Sequence, residues 1–263
     1  MRIGISAALI ACLSASSLQA QTGWLDRSII RAGDTLRYQV YVPAEYSPSR
    51  TWPVIVALHG TGPQGTDGMR QTNSDFANNV RRRRELFPAV MVFPQAQRGQ
   101  GFAPQGHDMI IPELDRTMEE FRGDSARVYL VGFSMGAVEA YRIAFTWPDR
   151  FAAVVAVSGS VTLSDRLPPA LVERDQRENP FGAYSQAHAT MAARLKGVPV
   201  WIFHGEKDII APLAEARLTR DALQQAGGTV RFTEYPDTGH PDAARKAFAD
   251  PALIEWLLQQ VRR

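Results

Sequence analysis

From Trp52 onward, short apolar runs rich in β-branched residues alternate with stretches whose apolar positions recur every three or four residues. The first kind reads as strand and the second as amphipathic helix. Strands are predicted at Val54 to Leu58, Ala89 to Phe93, Arg127 to Gly132, Ala152 to Val157, Val198 to Phe203 and Val230 to Tyr235. Helices are predicted at Ser74 to Arg83, Met109 to Phe121, Met135 to Phe145, Leu213 to Ala226 and Pro251 to Val261. Apolar strands separated by helices build a mostly parallel sheet covered on both faces, an α/β fold. Ahead of them, Thr35 to Val42 alternates as an edge strand does, and Pro43 ends it. The connection from Gly159 to Gly197 is far longer than the ~2 to 6 residues of an ordinary loop plus one helix. It carries Pro168-Pro169, Asn179-Pro180, Phe181 and Tyr184, and reads either as a small cap shaping a pocket or as a surface decoration remote from any site.

The first twenty residues follow a different pattern. Arg2 gives a small positive start, Ile3 to Leu13 is almost wholly apolar, and small residues continue to Ala20. This resembles a secretory signal peptide, with cleavage expected after Ala20 and a second possible site marked by Ala15 and Ser17. The remaining chain, 21–263, has the size of one domain with one substantial core. A secreted or periplasmic location follows. The only cysteine, Cys12, leaves with the leader, unless Leu9-Ile10-Ala11-Cys12 acts as a lipoprotein signal and Cys12 carries a lipid. No other apolar run approaches the ~20 residues of a spanning helix, so no stable membrane insertion is expected.

A net charge of +2 gives no reason to expect nucleic acid as a partner. The run Arg81 to Arg84 reads as a solvated basic turn that complements a helix C-terminus. No His or Cys pair stands at ligand spacing, so no metal is expected. Gly60-Thr61-Gly62-Pro63-Gln64-Gly65 satisfies a dinucleotide fingerprint, but Pro63, Gly65 and Gly68 prevent a helix from opening there. The next strand also ends Val92-Phe93-Pro94-Gln95, without an acidic residue for a ribose. No cofactor is expected.

The chemistry centres on Gly132-Phe133-Ser134-Met135-Gly136, with a strand-like run before it and a helix-like run after it. A strand-to-helix turn tight enough to expose a serine hydroxyl forces strained backbone angles, and flanking glycines remove the Cβ atoms that would collide. A serine hydroxyl needs a base to take its proton and a carboxylate to orient that base. His240 is placed on the loop after the strand ending at Tyr235, and Asp208 on the loop after the strand ending at Phe203. Both loops lie at the sheet edge that carries Ser134. Glu206 is the competing acid, but Asp208 sits deeper in its loop. His204 reads as a structural residue with a local hydrogen bond, and His188 falls in a polar helical stretch. Leu58-His59-Gly60-Thr61-Gly62 supplies a glycine-rich loop beside the site, so the backbone N–H groups of Thr61 and Met135 are the expected oxyanion hole. His59 fixes that loop, and His59, Gln95, Phe133 and His107 are candidates for the substrate pocket.

On these residues, and on Phe93-Pro94-Gln95, Phe203 to Asp208 and Tyr235 to His240, the sequence resembles the α/β-hydrolase superfamily. More narrowly, it resembles the small secreted esterases related to feruloyl esterases, polyhydroxybutyrate depolymerases and predicted peptidases. The resemblance runs from about Val54 to the C-terminus. It implies an α/β-hydrolase fold and a serine hydrolase acting on small-molecule esters through an acyl-Ser134 intermediate, with water activated by His240. Many relatives continue past the histidine with a tryptophan-bearing segment where this chain has Pro241-Asp242-Ala243, so the resemblance implies mechanism more than substrate. A peptidase of the same fold and a non-catalytic binding module on the same scaffold are the alternative readings.

Overall fold

The computed structural model describes residues 21–31, 33–99, 101–102, 106–163 and 167–262, with the backbone alone at 106–108. The expected leader with Cys12, and the side chain of His107, lie outside the described residues.

Eight strands form one sheet in the order β1-β2-β4-β3-β5-β6-β7-β8. They are β1 (Gly23–Arg31), β2 (Asp34–Val42), β3 (Trp52–Leu58), β4 (Val90–Phe93), β5 (Gly123–Phe133), β6 (Ala153–Val157), β7 (Val200–Gly205) and β8 (Val230–Tyr235). From β3 to β8 all neighbours pair in parallel, while β2 runs antiparallel to β4 and to β1. Six parallel strands therefore end on one rim.

The helices are α1 (Asp75–Arg82), α2 (Gly106–Glu120), α3 (Met135–Thr146), α4 (Pro169–Glu178), α5 (Tyr184–Leu195), α6 (Leu213–Gln225), α7 (His240–Ala249) and α8 (Pro251–Gln259). Because successive strand residues point to opposite faces, the apolar runs feed two cores. Val54, Val56, Leu130 and Ile202 pack with residues of α2, α3, α5 and α6, such as Ile110, Tyr141, Met191 and Leu223. Ile55, Met91, Val131 and Phe203 pack with Phe76 of α1, Phe248 of α7 and Leu257 of α8. Each such aliphatic side chain contributes roughly 1.5–3 kcal/mol through burial.

Three expectations need correction. The strand read as an edge, β2, is second from the edge, because β1 covers it along its whole length. His240 is on no loop: it opens α7, where Pro241 is tolerated since the first turn has no intrahelical use for its missing N–H. The Arg81 to Arg84 run is only half solvated. Arg81 stacks on Trp24 at 4.3 Å and donates to the Thr72 carbonyl, and Arg83 donates to the Ala249 carbonyl at 2.8 Å. These guanidinium groups tie α1 to its neighbours, while Arg82 and Arg84 remain exposed.

On the buried face of α2, Glu113 is fully enclosed and neither carboxyl oxygen has a hydrogen-bond partner among the described residues. Burial holds its carboxyl well above the usual carboxylate range. The folded chain keeps Glu113 protonated where the unfolded chain would ionise it. Its contribution is therefore intact below the ordinary carboxylate range and is lost as pH rises toward the folded value. Replacing Glu113 by Met is expected to stabilise the protein at about pH 8 by roughly 1 kcal/mol or more, with a smaller gain at about pH 4. Urea unfolding at the two pH values checks this, and an equal gain at both would contradict it.

Candidate active site

Ser134 stands between the end of β5 and the start of α3, with φ of 54° and ψ of −121°. A non-glycine residue held at positive φ costs energy that its surroundings must sustain. Here the Ser134 N–H donates to the Val157 carbonyl of β6 at 2.9 Å, and the Ser134 carbonyl accepts from Ala137 and Val138 at 2.9 and 3.1 Å. The glycines are required by contact distance. A Cβ on Gly132 would lie 2.2 Å from the Gly136 carbonyl oxygen, and one on Gly136 would lie 2.1 Å from that of Leu58.

The rim brings β7 and β8 beside this turn. Glu206 N–H donates to the Tyr235 carbonyl at 3.0 Å and Lys207 N–H to the Thr238 carbonyl at 2.9 Å, so the loop holding Asp208 is tied to the loop that leads into His240. Asp208 is buried, with Oδ1 accepting from the N–H groups of Ile210 and Ala211, each at 2.9 Å. Its Oδ2 accepts from His240 Nδ1–H at 2.7 Å. Burial pushes the Asp208 carboxyl up, but the hydrogen bonds from His240, Ala211 and Ile210 outweigh it and leave the group below its ordinary value. With Nδ1 donating to a carboxylate, Nε2 of the neutral imidazole is left as an acceptor, and it lies 2.8 Å from Ser134 Oγ. The three residues singled out in the sequence thus form one continuous hydrogen-bonded chain, and this arrangement can draw the proton from Oγ. Glu206, by contrast, is exposed and accepts from the Asp237 N–H at 3.2 Å.

Two further histidines sit behind the site. His204 is fully buried and its Nε2–H donates to the Ala211 carbonyl at 2.8 Å, holding the Asp208 turn. Burial lowers its pKa. His59 donates from Nδ1 to the Gly60 carbonyl at 2.5 Å and accepts at Nε2 from Ala96 N–H at 3.1 Å. Burial pushes its pKa down to about 4, so the ring stays neutral and in one tautomer. In a planar trans peptide the N–H points opposite the carbonyl. Tying Gly60 O to His59 therefore turns the Thr61 N–H away from His59. Gly60 abuts the nucleophile turn, since a Cβ there would lie 3.4 Å from Ser134 Cβ. Met135, as first residue of α3, carries one of the backbone N–H groups that a helix leaves unpaired.

A cavity of about 720 Å³ opens over these groups, with Ser134, His240, His59, Thr61, Phe133 and Met135 in its wall. The Phe133 ring lies 5.0 Å from that of His240. Gln95 is not in the wall. Its Oε1 accepts from Gly68 N–H at 2.6 Å and its Nε2 donates to Asp67 Oδ1 at 2.9 Å, so it organises the loop behind His59. The long insertion does contribute: Leu163, Leu171 and Asp175 face the cavity, and Asp175 meets Arg142 of α3. That cluster was not anticipated. The signal was present in α3, where Glu139 and Arg142 interrupt an otherwise apolar helix at a spacing of three. No group of three or more metal-binding side chains occurs among the described residues.

The sheet order, the parallel crossovers and the strained serine turn define the α/β-hydrolase fold. A solved thermostable esterase has this fold too, matching with a TM-score of 0.73 at 24% identity over 91% of this chain and 63% of that one. Residues 31–244 match the model of the Esterase family, described as "Putative esterase", and the chain belongs to that family. Among curated relatives, an acyl-protein thioesterase 1 of Neurospora crassa is 26% identical over 134 residues, covering 51% of this chain and 45% of that protein. A feruloyl esterase B of Thermothelomyces thermophilus is 27% identical over 175 residues, covering 60% of this chain and 53% of that protein. The chain spans about half the length of these relatives.

The close contacts of the turn make a structural prediction. Gly136→Ala must move backbone and is expected to destabilise the protein by roughly 3 kcal/mol or more. Gly62→Ala, with nothing within 4 Å of the added Cβ, is expected to be nearly neutral. Thermal unfolding of the two variants checks the pair.

Proposed function

We propose that this protein is a carboxylic ester hydrolase in which Ser134 is the nucleophile, His240 the general base and Asp208 the residue that orients and charges the base. The observation that carries the reading is the unbroken chain from Ser134 Oγ through His240 to Asp208, at 2.8 and 2.7 Å. As Oγ attacks the ester carbonyl, its proton passes to His240 Nε2. The resulting imidazolium is stabilised by Asp208. The carbonyl oxygen, now an oxyanion, is received by the N–H groups of Thr61 and Met135. Collapse expels the alkoxide, which takes the proton from His240, and leaves acyl-Ser134. Water then gives a proton to His240 and attacks the acyl group, releasing the acid and restoring the hydroxyl. We assign His59 a positioning role, since it sets the Gly60–Thr61 peptide. Export through the leader at 1–20 fits a chain whose first twenty residues have the composition of a signal peptide.

Turnover of p-nitrophenyl acetate by 21–263 tests the reading. Ser134→Ala is expected to lower kcat by about 10⁴-fold or more, and Asp208→Asn by about 10³- to 10⁴-fold. A fluorophosphonate should add once to the wild-type protein, at Ser134, by intact mass and peptide mapping. Equal turnover in wild type and Ser134→Ala would remove Ser134 from the mechanism, and cleavage of short peptides far exceeding that of esters would make the protein a peptidase. His59→Leu is expected to lower kcat by roughly 10- to 100-fold with little change in KM, as loss of a preorganised donor acts in the transition state.

A further inference from the structure

The cavity continues beyond the nucleophile along α3, under α4. Its wall there is first apolar, with Met135 and Val138 from α3 and Leu163 and Leu171 from the insertion. It ends in three buried ionisable side chains: Glu139, Arg142 and Asp175, which are 3%, 6% and 6% exposed. Arg142 pairs through Nη2 with Asp175 Oδ1, and Tyr184 donates its hydroxyl to the other oxygen of the same carboxylate. Asp175 is thereby satisfied on both oxygens. Arg142 is not: its Nε–H is buried without an acceptor among the described residues. A buried donor left unpaired costs about 1–3 kcal/mol, more when it belongs to a charged group. That cost is recovered whenever an oxygen atom is placed against it.

Resting on the hydrolase reading above, we infer that this arm of the cavity is a specificity site for a substrate whose apolar body ends in an uncharged oxygen accepting from Arg142. Charge selects against the alternatives. The guanidinium is already offset by Asp175, so an anion arriving there gains little from it, and a cation would face Arg142. Burial pushes the Glu139 carboxyl up to about 7, against the pull of Arg142. A hydroxyl, ether or carbonyl oxygen meets the donor without that conflict. Length is set by the helix: Arg142 is eight residues beyond Ser134, roughly 12 Å along the axis at 1.5 Å per residue. Helical side chains lean back toward the N-terminus, which shortens the reach. An extended chain of about six to ten bonds spans it.

The test uses two ester series with the wild-type protein. In one, p-nitrophenyl esters of straight-chain acids of six, eight and ten carbons are compared with their ω-hydroxy counterparts. In the other, acetates of the matching alcohols are compared with monoacetates of the matching diols, which tells whether the acyl or the alcohol part enters the arm. In one of the two series the hydroxylated ester is expected to gain roughly tenfold or more in kcat/KM, with the gain peaking at one chain length. Arg142→Lys keeps a cation beside Asp175 but removes the Nε–H, and the gain should fall to below about twofold. A ratio near one in both series, a gain independent of chain length, or a gain that survives in Arg142→Lys would each overturn the assignment. If the lysine variant does not fold, the length dependence in the wild-type protein still decides. Turnover of p-nitrophenyl acetate in the same assay separates the two failures: without it the hydrolase reading falls, and with it only the specificity site does.

Discussion

The site depends on one backbone contact, the approach of the first turn of α3 to the end of β3. Gly136 lies so near the Leu58 carbonyl that no side chain fits between them. This closeness lets the chain leave β5 and enter α3 within a single residue, and that residue, Ser134, takes the strain at φ of 54°. A looser turn would release the strain and also withdraw the hydroxyl from the rim. Both the β3 loop with His59 and the strand pairing that carries Val157 are fixed to the same few peptides, so Ser134 is positioned by sheet and helix together.

Much of this was readable from residues alone, for a physical reason. In a parallel sheet each strand is apolar on both faces, so its run is conspicuous, and every strand delivers the loop after it to the same rim. Ser134 and Asp208 each follow such a run, His240 follows the half-buried edge strand Val230–Tyr235, and parallel pairing brings all three to one rim. Less was legible where local pattern and tertiary contact disagree. The Gly23–Arg31 segment becomes a strand only because Asp34–Val42 doubles back along it. His240 heads a helix because Gly239 and Pro241 suit its first turn, whereas the run Pro236 to Gly239 before it reads in sequence as a loop that extends to His240. Gln95 reads in sequence as a pocket candidate. Its amide is instead consumed by Gly68 and Asp67, a demand that only the folded loop reveals.

Buried ionisable groups divide by location. Glu113 lies between α2 and the sheet, away from the cavity wall, and both its oxygens are unpaired among the described residues. Its raised carboxyl pKa costs stability as pH rises to neutral. Glu139, Arg142 and Asp175 carry a comparable desolvation burden, yet all three border the cavity and two of them are joined. Replacement of such a cluster by well-packed apolar residues is often neutral or stabilising. Stability therefore gives no account of these three residues, while the proposed recognition of a substrate oxygen in this arm does.

The buried histidines leave the Asp208 carboxylate to His240. His204 Nε2 lies 3.4 Å from Asp208 Oδ2, close enough to compete with His240 for it if the His204 ring were charged. Two features prevent this. Burial lowers the His204 pKa, and its Nε2–H is already committed to the Ala211 carbonyl. The same carbonyl belongs to the residue whose N–H binds Asp208 Oδ1, so the neutral ring braces the turn that aims the carboxylate. His59 plays the parallel part on the other side of the rim, neutral through burial and spent on Gly60 and Ala96. With both flanking imidazoles uncharged, the negative charge of Asp208 is directed at the one ring that touches Ser134, which is the condition for a proton leaving the hydroxyl to find a stabilised resting place.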